Sequence, residues 1–187
     1  HLSQLCVPHM REAGSGNIIN ITSGAARYAQ TQFSAYGTAK AALEDGRVSS
    51  MLVVDAMPEV IDWHERELLP DAPAVVRDER TRLLLGNFFE LAASEHGFDP
   101  DEPGRLHDAV LLDIDHTPHH LLHPDHAPFY SVDGLQRLRA HLRPGGVFAM
   151  WSDDPPDADF CALLEQVFEE VEAHVVAFAA EDLHVRL

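Results

Sequence analysis

The chain predicts an α/β fold with a mainly parallel sheet, and three observations carry that prediction. Short aliphatic runs alternate along the sequence with longer amphipathic segments, the order of a protein built from βαβ units. One run, Ala109-Val110-Leu111-Leu112, is apolar at consecutive positions, as a strand covered on both faces must be. That run closes on Asp113-Ile114-Asp115-His116-Thr117-Pro118, so two carboxylates fall just past a strand's carboxyl end, where open parallel sheets hold their ligands. Solvating the strand end and starting a turn before Pro118 is the other use such acids have.

Each element follows in order. Residues 2–12 carry a helical apolar pattern that Gly14-Ser15-Gly16 terminates. Residues 17–22, Asn-Ile-Ile-Asn-Ile-Thr, are a β-branched strand running into the small-residue turn Ser23-Gly24-Ala25-Ala26. The alanines and Leu43 favour a helix over 33–43, which puts Tyr36 and Lys40, four residues apart, on one face. After the turn Glu44-Asp45-Gly46 comes a strand over 47–54 ending at Asp55, then a helix to Glu67 with Pro58 in its first turn. A strand over 80–85 is closed by Gly86-Asn87, and residues 88–92 are helical. Past the strand at 109–113, a helix over 132–141 is stopped by Arg143-Pro144-Gly145-Gly146 before a strand over 147–151. A helix over 157–170, with Asp157 at its start, and a strand over 173–178 complete the pattern.

Bulk composition narrows the function. At 187 residues the chain can build one domain with a real core but not two nucleotide-binding domains. Its apolar share of 45% against 24% charged residues is that of a globular protein, not a disordered one. A net charge of −18 argues against nucleic acid or an anionic membrane as partner and suits a cationic substrate or plain solubility. Cys6 and Cys161 form no metal or redox motif, which points to a reduced, cytoplasmic setting. No stretch has the length of a membrane span, and the start lacks both a basic leader and an initiator methionine, so the chain is expected to begin within a longer gene. Composition changes at Glu44: acids are nearly absent before it, while after it Asp and Glu dominate and lysine disappears. That change marks a boundary or a change of origin.

Residues 1–43 resemble the catalytic segment of the short-chain dehydrogenase/reductase family, on the strand Asn-Ile-Ile-Asn-Ile-Thr closed by Ser23 and the Tyr36-Gly-Thr-Ala-Lys40 spacing on the following helix. The resemblance implies that Ser23 orients a carbonyl or hydroxyl. Tyr36 would exchange the proton, and Lys40, the only lysine, would hold the nicotinamide ribose of NAD(P) and lower the tyrosine pKa. An ammonium one helical turn from a phenol does favour the phenolate. The family's glycine-rich dinucleotide turn and its upstream asparagine have no counterpart in this stretch.

Residues 44–178 resemble the class I methyltransferase fold, and specifically its spermidine synthase-like branch. The likeness rests on Val-Val-Asp55-Ala-Met-Pro-Glu-Val-Ile, Leu-Gly-Asn87-Phe-Phe, the 109–118 stretch and Leu-Arg-Pro-Gly-Gly-Val at 142–147. It implies a Rossmann-like three-layer αβα sandwich that binds S-adenosylmethionine or its decarboxylated form. Asp55 would lie on the ribose, Asn87 beside the adenine, and Asp113 would be the acid that holds an attacking cationic amine. Asp115 is the second acid, in the spacing Asp-Ile-Asp-His-Thr-Pro where the family tends to have Asp-x-x-Asp-Pro. The dehydrogenase-like strand, turn and helix stand where the family's first strand and glycine-rich turn belong. Residues 17–22 are therefore expected to pair with the strands at 47–54 and 109–112, making residues 1–187 one domain of composite origin. Gly24 would be its close-approach glycine. With one glycine where several are usual, turnover is expected to be impaired or absent.

Three functional expectations stand: an adenosyl-binding transferase-like domain, a dehydrogenase fragment, and a recombined chain that folds without turnover. A homodimer is left open. The run His116, His119, His120, His123 and His126, interleaved with Asp115 and Asp125, has metal-binding residue types, but Pro118, Pro124 and Pro128 forbid one helix presenting them. A solvated lid loop is the favoured reading, with no metal. Tyr130, after this loop, is placed to close over a ligand or to sit in the core.

Overall fold

The computed structural model describes residues 16–22, 39, 42–44, 46–69, 72–113, 118–152 and 154–175. The helix expected over 2–12, and Ser23, Gly24, Tyr36, Lys40, Asp115 and His116, lie outside the described residues.

Five strands form one sheet: β1 Gly16–Thr22, β2 Val48–Asp55, β3 Thr81–Leu85, β4 His107–Asp113 and β5 Leu142–Trp151. Their order is β3-β2-β1-β4-β5 and every neighbouring pair is parallel. The dehydrogenase-like strand is thus the middle strand, hydrogen-bonded to β2 on one side and β4 on the other, the pairing expected for residues 17–22. From β1 the chain steps outward to β2 and β3, then crosses back to β4 and β5. The direction of winding therefore reverses between β1 and β4, which opens a crevice at their carboxyl ends.

Two cores follow from the pleat, since alternate residues of a strand face opposite sides. Leu52, Val54, Val110 and Leu112 pack with Phe88, Ala92, Leu135, Leu138 and Phe160. Met51, Val53, Ala109 and Leu111 pack on the other face with Ala39, Ala42, Leu43, Val60 and Val75. The first face is covered by α3 Phe88–Ala93, α4 Val132–Arg139 and α5 Ala158–Leu164. The second is covered by α1 Pro58–Glu65, α2 Ala72–Val76 and the helical residues Ala39, Ala42 and Leu43. Helices on both faces of a parallel sheet make the three-layer αβα sandwich, and they explain why β2 and β4 read as unbroken apolar runs.

The composition change at Glu44 falls at a stitched corner. Arg80, just before β3, donates from one nitrogen to the Val48 carbonyl at 2.9 Å and from another to the Leu43 carbonyl at 2.7 Å, while Asp78 pairs with the same guanidinium at 2.6 Å. One arginine therefore ties the end of the first segment, the start of β2 and the approach to β3 together.

Several boundaries differ from expectation. The helix expected over 132–141 ends at Arg139, and β5 begins at Leu142 rather than Val147. His107 pairs with Leu142 and Ala109 with Val147, so Arg143, Pro144, Gly145 and Gly146 bulge outward opposite Asp108, with Gly145 at φ 76°. The helix expected to run to Glu170 ends at Leu164. Residues 173–175, given to a last strand, have no regular structure, and 176–178 lie outside the described residues. Helix α2, which contains Pro73, and a 3-10 helix at Pro124–Phe129 have no counterpart in the expected pattern.

Candidate functional site at the carboxyl edge of the sheet

Strand register brings the expected residues to one edge. Thr22 pairs with Asp55 on one side and Asp113 on the other, Asp55 pairs with Leu85, and Asp113 with Trp151. Asp55 and Asp113 thus flank the last residue of β1, about 9–10 Å apart across two strand spacings. Asn87 lies two residues past the end of β3.

Asp55 is 1% exposed, and its Oδ1 accepts from the Met57 amide at 2.8 Å, a turn that leads the chain into α1. Asp113 is half-buried at the end of β4. Asn87 has a structural duty: its side-chain oxygen accepts from the Phe89 amide at 2.9 Å, capping α3, while its Nδ2 faces Glu90 Oε1 at 3.4 Å. The cap commits one lone pair of the asparagine oxygen, and the amino group is the side chain's donor for other partners.

Residues 118–130 are fastened at both ends. His119 pairs with Asp157 and His120 lies 3.7 Å from Asp154, which ties the segment to the start of α5. Asp157 also caps α5 by accepting from Phe160 at 2.6 Å. That bond, with a further contribution from His119, holds its carboxyl below the usual range. At the other end, the imidazole of His126 lies flat on Phe89, ring centroids 3.8 Å apart and planes 13° from parallel. His123 caps the 3-10 helix by accepting from Asp125 at 3.3 Å. Phe129 is buried edge-on against Phe88 and Phe89, and burial pushes the Tyr130 phenol up to about 12. The expected lid loop is exposed over most of residues 118–128, as a solvated segment must be, but it is also a folded strap, with a proline at its first 3-10 turn and aromatic anchors at its end. Ser131 closes it, donating to Pro128 O at 2.6 Å and capping α4 through Gly134. Among the described residues no group of three or more His, Cys, Asp or Glu side chains is placed to hold a metal ion.

The His126–Phe89 stack and the His119–Asp157 tie were not foreseen from sequence. The histidine run and the Phe88-Phe89 pair were visible, but no periodicity joins positions 37 and 38 residues apart. A cavity of about 770 Å3 lies at the other end of the sheet, lined by Arg105, Leu106, Asp108 and Arg143 among others. Its arginines are already engaged, Arg105 with Glu102 at 3.0 Å and Arg143 with the Leu106 carbonyl at 3.3 Å, and strand amino ends are not where such sheets bind ligands. No described helix is long and apolar enough to cross a membrane.

Comparison with known proteins finds two likenesses, one of sequence and one of fold. Residues 1–51 match the short chain dehydrogenase family model, which carries that likeness past Leu43 into β2. No curated protein sequence matches the chain. The fold is similar to that of spermidine synthase from Thermotoga maritima, with a TM-score of 0.59 at 17% identity over 90% of this chain and 51% of that one. A spermidine synthase in complex with the transition state analogue AdoDATO gives 0.59 at 16%, over 90% of this chain and 50% of that one. Human methyltransferase-like protein 13, in complex with SAH, gives 0.50 at 16%, over 78% and 60%. The chain spans about half the length of the spermidine synthases it matches. At these identities the likeness is one of fold, a Rossmann-like methyltransferase architecture.

Proposed function

We propose that residues 1–187 form one Rossmann-like domain of composite origin that binds an adenosyl nucleoside at the carboxyl edge of its sheet. The observation that carries this reading is the register that sets Asp55 and Asp113 on either side of the β1 end at the point where the winding reverses. Asp55 is the ribose partner, since a carboxylate accepts from two hydroxyls at once. Asn87 contributes its amino group beside the base. Asp113 pairs with a cationic amine and takes a proton from it, which frees the nitrogen lone pair to attack a carbon on the sulfonium; the C–S bond breaks and a neutral thioether leaves, a step that suits an acidic chain. The ligand is S-adenosylmethionine or decarboxylated S-adenosylmethionine, the class named with the neighbours of similar fold that were solved with SAH and AdoDATO. Turnover is weak, because Ser23-Gly24-Ala25-Ala26 supplies one glycine for close backbone approach.

The dehydrogenase match over 1–51 favours a second reading, NAD(P) binding with Ser23, Tyr36 and Lys40 as the reacting set. Isothermal titration with S-adenosylmethionine, decarboxylated S-adenosylmethionine, NAD and NADP separates the two. Adenosyl binding weakened about thirtyfold or more in Asp55→Ala supports the first, since two hydrogen bonds to a carboxylate are lost. Binding of dinucleotide alone supports the second. Asp55→Asn keeps an acceptor for the Met57 amide, and so separates a ligand effect from loss of the turn.

A further inference from the structure

We infer that Phe89 is the platform on which the nucleobase stacks, and that the imidazole of His126 holds that place until a base displaces it. The inference rests on the adenosyl reading above and specifies how the base is recognised. Phe89 stands in the first turn of α3, two residues past Asn87, and β3 ends beside the Asp55 end of β2. Neighbouring strands lie about 4.8 Å apart, a spacing comparable with that between sugar and base in a nucleoside. A ribose on Asp55 therefore delivers its base to the end of β3, and the aromatic face there is that of Phe89.

His126 already makes the contact a base would make. Its ring lies 13° from parallel with Phe89 at a centroid distance of 3.8 Å, whereas the other aromatic neighbours of Phe89 meet it edge-on or tilted: Phe88 at 74°, Phe129 at 80° and Tyr130 at 49°. Those rings fix the orientation of Phe89 and leave its flat face to His126. Imidazole is the five-membered ring of a purine, so exchanging one for the other conserves the stacking chemistry and enlarges its area. The exchange does not require α3 to move. His126 belongs to the strap, whose contacts with the start of α5 are the His120–Asp154 pair, exposed on both sides, and the His119–Asp157 pair, in which His119 is exposed and Asp157 half-buried; surface pairs of this kind contribute little. The strap can yield at its histidine while Phe129 stays buried.

Two measurements on the whole chain test the exchange. In histidine ring-labelled protein, the His126 signals, assigned with His126→Ala, are displaced by the ring current of Phe89. Saturation with S-adenosylhomocysteine or adenosine returns them towards the free imidazole position, while ribose alone does not. By calorimetry, His126→Ala binds S-adenosylhomocysteine roughly three- to tenfold more tightly than the parent, the factor expected when one aromatic stacking contact no longer has to be broken. Phe89→Leu abolishes the displaced signals and weakens binding. Nucleoside binding that leaves the His126 signals unmoved, or that is unchanged or weaker in His126→Ala, overturns the displacement while leaving the adenosyl reading intact. Failure of both parent and His126→Ala to bind overturns both.

Discussion

Replacing His107 by leucine changes the acid stability of the fold by an amount the structure sets. His107 opens β4, is 2% exposed, and its Nε2 has no hydrogen-bond partner; its backbone amide donates to His141 O at 2.9 Å, which leucine preserves. Burial, and then the positive charge of Arg105, depress the imidazole from 6.5 to about 4, with His141 and Arg143 adding to the effect and Asp99 opposing it. Asp99 cannot neutralise His107 fully because it is committed to Arg82. Although its own burial would raise its carboxyl, that ion pair and the Asp101 and Glu102 amides keep it low. In the unfolded chain the imidazole titrates near 6.5, so below that pH the unfolded state binds a proton that the folded state refuses, and stability falls as pH falls. The loss due to His107 is negligible at pH 7.5, about 2 kcal/mol at pH 5, and approaches about 3 kcal/mol near pH 4. His107→Leu removes that loss and also an unsatisfied buried nitrogen, so the variant equals or exceeds the parent at neutral pH. Urea unfolding midpoints of both proteins between pH 7.5 and 4.5 read the difference directly, because His64 and His141, also lowered by burial, are common to both. Stability curves that stay parallel down to pH 5 would refute the reasoning.

Arg80→Met removes two hydrogen bonds from a charged donor to the Leu43 and Val48 carbonyls and should cost roughly 2–3 kcal/mol in denaturant unfolding. Arg66→Met, which loses only the exposed pair with Asp62, should cost less than about 0.5 kcal/mol. Gly134→Ala improves helix propensity by about 1 kcal/mol but sets a Cβ 2.3 Å from Pro128 O and 2.6 Å from Phe129 O. Backbone cannot yield cheaply there, so a net loss of about 2 kcal/mol in thermal or urea unfolding is expected. Tyr130→Phe should remove from the alkaline ultraviolet titration the phenol that ionises at about 12.

The sequence by itself determined the class of the fold and the strands that make it. β2 and β4 are unbroken aliphatic runs, β1 is β-branched, and each is separated from the next by turn and helix signals, so local pattern sufficed to give a parallel sheet. Pattern together with family resemblance also identified Asp55, Asn87 and Asp113 as strand-end groups, because a polar residue ending an apolar run is visible in one dimension. What tertiary structure decided is which of these groups has a competing duty and what lies over them. Asn87 commits its side-chain oxygen to the Phe89 amide and so caps α3. Residues 118–130 form a strap because His119 meets Asp157 and His126 meets Phe89, contacts between segments far apart in sequence that no local period encodes. The same reason explains the shorter elements. Helix α2 buries Val75 in the second core and the bulge at Arg143 to Gly146 lies opposite Asp108 of β4, while propensity summed over so few residues is too small to announce them.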